Sequence, residues 1–259
     1  MKTKLRVLKV GGNLIDDPKK LRSFLNAFAK LPQPKILVHG GGKIATETSK
    51  KLGIESRLID GRRITSAEEI QVITMVYAGL INKNMVASLQ ALACDAIGLS
   101  GADGNTILAT IRPKKPIDFG LVGDVEAINS ALIQKLLKAD LTPVFCAVSH
   151  NNKGQLLNTN ADSVASEIAI AMSFFYEVEL FYCFEKQGVL ENVEDENAVI
   201  ATIDTAKYET LKAAGTIKGG MLPKVQNCFH ALNNNVSKVI IGGPEVLNET
   251  HKQFTTLKL

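Results

Sequence analysis

Lys9 stands just before a pair of glycines, Gly11 and Gly12, at the end of the apolar run Leu5-Arg6-Val7-Leu8-Lys9-Val10. An ammonium group at the end of a buried strand is costly to desolvate unless it meets an anion, and adjacent glycines present backbone N–H groups that no side chain obstructs. A phosphoryl group satisfies both features. So does a lysine that snorkels to solvent ahead of an ordinary Gly-Gly turn. His39-Gly40-Gly41-Gly42-Lys43 repeats the pattern after a second apolar run and opens a helix, which puts backbone donors at a helix N-terminus, although a turn that needs positive φ would also demand glycine. Gly215-Thr216-Ile217-Lys218-Gly219-Gly220-Met221-Leu222-Pro223-Lys224 is a later glycine turn, with lysines at 218 and 224, ahead of another helix. Neither early turn is a Walker loop or a GxGxxG fingerprint.

Two further stretches carry charge into turns. Arg62 and Arg63 follow Asp60-Gly61 in a hairpin pattern, and successive strand residues point to opposite faces, so one arginine can meet solvent while the other reaches a carboxylate. In Asn158-Thr159-Asn160-Ala161-Asp162, Asn160 or Thr159 fits a helix N-cap and Asp162 falls in the first turn. Capping and the helix dipole account for Asp162 in full; orienting cationic side chains across a cleft is the alternative.

The elements that must position these residues alternate in type. Residues 5–10, 35–38, 96–99, 142–148, 178–184 and 238–241 read as buried strands, separated by helical patterns at 16–31, 44–52, 130–138, 204–214 and up to 234. Residues 106–112 and 120–125 read as hairpins rimming a pocket. Ser66 caps a long helical pattern running to about residue 93, whose broad apolar face suggests contact beyond its own lobe, as in a homodimer. Strands alternating with helices predict an α/β fold, a three-layer αβα sandwich with a mainly parallel central sheet.

Composition narrows the function classes. The chain has 259 residues, 46% hydrophobic and 22% charged, long enough for a large core and too apolar for disorder. A formal charge of +4, with Lys and Arg scattered among acids, gives nucleic-acid binding no support and suits a small anionic substrate. Cys94, Cys146, Cys183 and Cys228 lie far apart in apolar segments, which predicts reduced core thiols and a cytoplasmic location. No leader is expected ahead of the first strand, and no apolar stretch is expected to reach the roughly 18 residues of a membrane span.

Lys9-Val10-Gly11-Gly12, His39-Gly40-Gly41-Gly42, Gly61-Arg62-Arg63-Ile64-Thr65, Gly98-Leu99-Ser100-Gly101-Ala102-Asp103-Gly104, Asn158-Thr159-Asn160-Ala161-Asp162 and Gly219-Gly220-Met221-Leu222-Pro223-Lys224 occur in the order and approximate spacing of the amino acid kinase family, which the chain resembles over essentially its whole length. The resemblance implies ATP-dependent phosphorylation of the γ-carboxylate of N-acetyl-L-glutamate to an acyl phosphate, the second step of arginine biosynthesis. It implies that Lys9 and Lys224 flank the transferred phosphoryl group with Asp162 between them as organiser. Gly11, Gly12, Gly41 and Gly42 would supply backbone donors, and Gly219 and Gly220 would lie on the nucleotide side. Arg63 would take the substrate α-carboxylate in a forked contact, with Asn158 and Asn160 assisting. Mg²⁺ would travel with the ATP phosphates, with no metal site on the protein. Residues 1–155 would form the substrate and dimerisation lobe and residues 156–259 the nucleotide lobe.

One stretch departs from the family's pattern. A strand ending in Ser/Thr-Asp-Val is usual before the Gly-Val/Ile-Leu turn, and here Tyr182-Cys183-Phe184-Glu185-Lys186-Gln187 precedes Gly188-Val189-Leu190. Glu185 falls at the Asp position, keeps an acceptor for the nucleotide and reaches one methylene farther. The short lead before the first strand leaves out the N-terminal helix of arginine-inhibited hexamers, so a dimer without that feedback is expected. N-succinyl-L-glutamate is the nearest alternative substrate; a carbamate, aspartate or glutamate 5-kinase and a non-catalytic ligand-binding relative are the others.

Overall fold

The computed structural model describes residues 2–59, 61–192, 195–248 and 253–259. The chain opens with β1 (Lys4–Val10), a short helix α1 (Gly12–Asp16), α2 (Pro18–Ala29), β2 (Lys35–His39) and α3 (Gly42–Lys51). A hairpin of β3 (Arg57–Ile59) and β4 (Arg62–Ile64) leads to α4 (Ala67–Ile73), a π-helical stretch Thr74–Ile81 and α5 (Asn82–Gln90). Next come β5 (Ala96–Leu99), β6 (Ile107–Ile111), β7 (Gly123–Ile128), α6 (Ser130–Lys138), β8 (Thr142–Cys146), β9 (Val148–His150) and β10 (Leu156–Asn158). The remainder holds α7 (Ala161–Ser173), β11 (Glu177–Cys183), β12 (Thr202–Ile203), α8 (Thr205–Ala213), α9 (Met221–Asn233), β13 (Lys238–Gly242) and β14 (Thr255–Leu257). Asp60, half of the expected Asp-Gly turn, lies outside the described residues.

One eight-stranded sheet, in the order β12-β14-β13-β11-β1-β2-β8-β5, runs through the molecule, and all its ladders are parallel except β13 with β14. The period-two alternation of β1 divides the core. Leu5 and Val7 face one cluster with Val164, Ile168 and Met172 of α7 and Val225 and Cys228 of α9. Leu8 and Val10 face the other, with Phe24 and Phe28 of α2, Val76 and Tyr77 of the π stretch and Met85 of α5. This is the expected αβα sandwich. Register fixes the rim: Val10 pairs with both His39 and Cys183, so the turns after β1, β2 and β11 emerge side by side.

Three expectations change. Residues 142–148 are two strands, because β8 ends at Cys146 in the large sheet while Val148 onward joins β10 in a second sheet ordered β10-β9-β6-β7. A continuous apolar run carries no mark of a change of sheet. The long helix is α-helical only at its ends; its π-helical middle turns Tyr77 and Ile81 against the spot where a side chain at Gly41 would lie. By length and mean hydropathy, 24 residues and 1.2, Ala67–Gln90 does pass for a membrane span, contrary to expectation. Val72, Ile73, Val76, Ile81, Met85 and Leu89 are instead buried within the protein.

His39 pins the end of β2. It has no solvent exposure, its Nδ1 lies 2.8 Å from the Gly40 carbonyl, and its Nε2 lies 3.0 Å from Asn82 Nδ2, which also donates to Val144 O at 2.9 Å. An amide nitrogen only donates, so Nε2 accepts and Nδ1 carries the proton. Burial pushes the ring down to about 4. The unfolded chain therefore binds a proton that the native ring refuses, and stability rises with pH between about 4 and about 6.5. This contribution is complete above pH 6.5 and is lost toward pH 4, a difference of about 3 kcal/mol. Proton NMR of the His39 ring should show a titration midpoint near the low end of that window; a midpoint near 6.5 would show a hydrated ring.

Candidate active site

The alternation that buries Leu5 and Val7 also turns Lys9 toward α7, and the rim register brings it to the N-terminus of that helix. Asn160 is the N-cap, its Oδ1 accepting from Asp162 N at 2.8 Å and Ser163 N at 3.1 Å. The cap is thus complete without the Asp162 side chain, which points elsewhere. Its Oδ1 lies 2.8 Å from Lys9 Nζ as an ion pair, and its Oδ2 accepts a hydrogen bond from Lys224 Nζ at 2.7 Å. All three side chains are nearly buried, at 12%, 15% and 14% exposure for Lys9, Asp162 and Lys224. Burial works to raise the Asp162 carboxyl, but the two ammonium groups outweigh it and hold the carboxyl well below the usual range. Burial lowers Lys9, with Asp162 opposing and Lys224 adding to the shift. The Tyr182 and Phe184 rings lie 5.4 and 6.0 Å from Lys224 Nζ, and Tyr182 OH donates to the Asp162 backbone carbonyl at 3.0 Å.

The glycine turns divide by role. Gly11 N–H donates to Cys183 O at 2.8 Å, so it offers no donor to a phosphoryl oxygen, contrary to expectation. A Cβ there would press on Cys183 O and Phe184 Cβ, at 3.2 and 3.3 Å. Gly12 begins α1 and Gly42 begins α3, where first-turn N–H groups have no partner within the helix. Gly41, at φ +152, adopts a conformation closed to other residues. Gly219 also has positive φ, at +55, and a Cβ on it or on Gly220 would meet open space.

Arg63 is a buried arginine whose forked face looks inward. Nη1 donates to Ser56 Oγ at 2.6 Å and Glu69 Oε2 at 3.1 Å, while Nη2 donates to Gly42 O at 2.9 Å and to Thr46 Oγ1. Nε–H is what remains for a ligand, so the forked contact expected for a substrate carboxylate is made with Glu69 and its neighbours. Asn158 Nδ2 donates to Thr65 Oγ1 at 3.0 Å.

A cleft of about 450 Å³ brings together Lys9, Gly12, Gly41, Gly42, Arg63, Asn158, Asn160 and Asp162. Lys224 meets its wall through Asp162; Glu185, which accepts from Asn13 Nδ2, lies outside the wall, as do Gly11, Gly219 and Gly220. Lys43, Arg62, Tyr77 and Arg112 line it although the sequence did not single them out as site residues. Arg112, just past β6, donates through Nε to both carboxylate oxygens of Asp124 at 3.1 and 3.2 Å. A lone arginine before Pro113 was its faint signal. Such a cleft, with paired ammonium groups, helix N-termini and a cationic wall, suits transfer of an anionic group between anionic partners.

A family model described as the amino acid kinase family matches residues 4–243. The chain is 54% identical over 255 residues to the acetylglutamate kinase of Cytophaga hutchinsonii, covering 98% of this chain and 97% of that one. It is 48% identical over 241 residues to the acetylglutamate kinase of Bacteroides fragilis, covering 93% and 92%. Among solved structures, smu.665 from Streptococcus mutans UA159 superposes with a TM-score of 0.80 at 24% identity, covering 98% of each chain, a likeness of fold. The lysines at either side of Asp162 and the glycine turns on one rim therefore sit in a shared framework: the chain belongs to the amino acid kinase family and, within it, groups with the acetylglutamate kinases.

Proposed function

We propose that the chain transfers the γ-phosphoryl group of ATP to the γ-carboxylate of N-acetyl-L-glutamate, in arginine biosynthesis. The observation that carries this reading is the Asp162 carboxylate held between Lys9 and Lys224. A carboxylate acceptor is already ionised at pH 7, so no general base is required, and the barrier is lowered by in-line positioning and by charge on the transferred oxygens meeting fixed donors. An ammonium group has three donors, and each lysine turns one toward Asp162, which leaves others for the phosphoryl group. The N-terminal turns at Gly12 and Gly42, with Gly41 shaping the approach, add backbone donors, and Gly219 and Gly220 stand toward the nucleotide. Arg63 meets the substrate α-carboxylate through Nε–H, while Asn158 and Asn160 lie beside the acylated amine. Both oxygens of Asp162 face ammonium groups, so Mg²⁺ would be held by the ATP phosphates, where it would neutralise charge.

The lobes meet along the β1–β11 ladder, residues 1–155 taking the acylated amino acid and residues 156–259 the nucleotide. Met75 and Leu80, both about half exposed on the long apolar helix, support a homodimer through that face. Four buried, unpaired cysteines are in keeping with a cytoplasmic enzyme.

A second substrate reading has its own observation. A cavity of about 240 Å³ shares Arg62 and Arg112 with the cleft and adds Lys115 with the apolar Pro113, Ile117 and Phe119. The acyl chain of N-succinyl-L-glutamate would lay its methylenes on that apolar wall and its extra carboxylate among those cations. An acetyl group would leave the cavity empty. Steady-state assays with ATP, Mg²⁺ and each acylated glutamate decide between the two: the true substrate should show the higher kcat/KM by at least about tenfold. Turnover of neither would overturn the kinase reading.

Asp162→Asn tests the organiser. The cap belongs to Asn160, so a purely local role for the Asp162 charge would cost about 0.3 to 1 kcal/mol of stability and leave turnover intact. Removing the charge between two ammonium groups should instead lower kcat at least about tenfold, roughly 1.4 kcal/mol in the barrier. Two nearly buried ammonium groups then lose their shared counter-charge, so the thermal melt should fall as well, and turnover is compared on the folded variant well below its melt. Normal turnover in this variant would refute the role.

A further inference from the structure

The five-residue helix α1 is anchored at its far end by Leu14 and Ile15 in the core, and its entry, the turn assigned above to phosphate, has no side-chain cap of its own. Its N-cap, Gly11, has no side chain to close the first turn, and so short a helix is marginal by itself. Two bonds tie it down on the nucleotide side, and both end on the same segment beyond β11. Gly11 N–H donates to Cys183 O at 2.8 Å, and Asn13 Nδ2 donates to Glu185 Oε2. The same segment sets the surroundings of Lys224, whose ammonium lies near the rings of Tyr182 and Phe184. Residues 182–185 therefore hold the turn and the lysine in one frame.

We infer that Asn13 and Glu185 form a positioning pair that fixes the Gly11–Gly12–Asn13 turn relative to the Lys224 end of β11, so that Glu185 governs ATP affinity through Asn13 and not by touching the nucleotide. Both side chains are exposed, so their bond adds little to stability, and its purpose is to be sought in geometry. Charge points the same way. A carboxylate beside a turn that receives phosphate repels the incoming nucleotide, so it does not serve there as a phosphate ligand. It serves as an acceptor at the reach of a Glu side chain. An aspartate, one methylene shorter, would fall short of Asn13.

The proposal rests on the kinase reading for its turnover arm and on ATP binding alone for the other. Mg-ATP dissociation constants by calorimetry, with KM and kcat, are measured for wild type, Asn13→Ala, Glu185→Ala, Glu185→Asp, Glu185→Gln and the Asn13→Ala/Glu185→Ala double variant. Each alanine change and Glu185→Asp should weaken ATP about fivefold while leaving the KM for the acylated glutamate and the thermal melt unchanged. The double variant should be no worse than either single one, since both remove the same bond. Glu185→Gln keeps an acceptor and removes the repulsion, so its ATP affinity should equal or exceed wild type. Additive losses, an unaffected Asn13→Ala, or a Glu185→Gln as weak as Glu185→Ala would each overturn the proposal, the last by showing direct contact of the carboxylate with nucleotide or its Mg²⁺. Wild-type protein that binds ATP but phosphorylates no acylated glutamate would defeat the kinase reading, and the calorimetry would still decide the pair.

Discussion

Two ammonium groups cannot share a low-dielectric cleft without a charge between them, and the fold delivers that charge from a third element. Lys9 comes from β1, Asp162 from α7 and Lys224 from α9, segments far apart in the chain that meet because β1 lies at the centre of the sheet and α7 and α9 pack on one of its faces. At an effective dielectric of about 20, a close pair of unit charges interacts by roughly 4 kcal/mol. That is enough to keep Asp162 ionised against burial and to oppose the approach of Lys224 to Lys9 if the carboxylate is lost. The working separation of the lysines thus depends on where α7 begins. Asn160 settles that by taking the cap, which releases the Asp162 side chain to the cleft.

The same principle governs the other cations drawn into the interior. Lys35 is 2% exposed, and its Nζ donates to the Ala29 and Leu31 carbonyls, each at 2.7 Å, closing the C-terminal end of α2 as the chain turns into β2. Arg63 is matched by Glu69, which is 2% exposed. Replacing one partner of such a pair leaves a buried charge uncompensated and costs on the order of 3–5 kcal/mol. Arg63 therefore joins α3 to α4 before it can serve any substrate, and a loss of activity on its removal would mix stability with binding.

Much of this was legible in the sequence, and the illegible part has a common cause. Periodicity located β1, β2, α6 and β11 because burial on one or both faces writes itself into residue type. Lys9 and Lys224 stood out as lysines beside glycine turns, whereas capping accounted in full for Asp162 and its organising role came only with the family resemblance. Which donors remain free is a tertiary fact. Gly11 looked like Gly12 until its N–H was found on Cys183 O, and Arg63 looked free for a forked contact until Glu69 was found behind it. Arg112 gave almost no signal, since the Asp124 that orients it lies on the neighbouring strand of a hairpin whose register shifts at Leu108 and Ala109.

The cations around the cleft also differ in how firmly they are held, and this divides the work of binding two anions. Lys9 and Lys224 are fixed by Asp162, Arg63 by Glu69 and Arg112 by Asp124, so their positions are set before any ligand arrives. Groups fixed in this way need no reorganisation when charge shifts during transfer, which is where electrostatic catalysis gains most. Lys43 and Arg62 are exposed at the mouth of the same cleft. Exposed charges there raise the local potential toward anions and lose strength as salt is added. Ion-paired cations inside the cleft and exposed ones on its wall let a chain of modest net charge present a positive surface while its buried charges stay fixed.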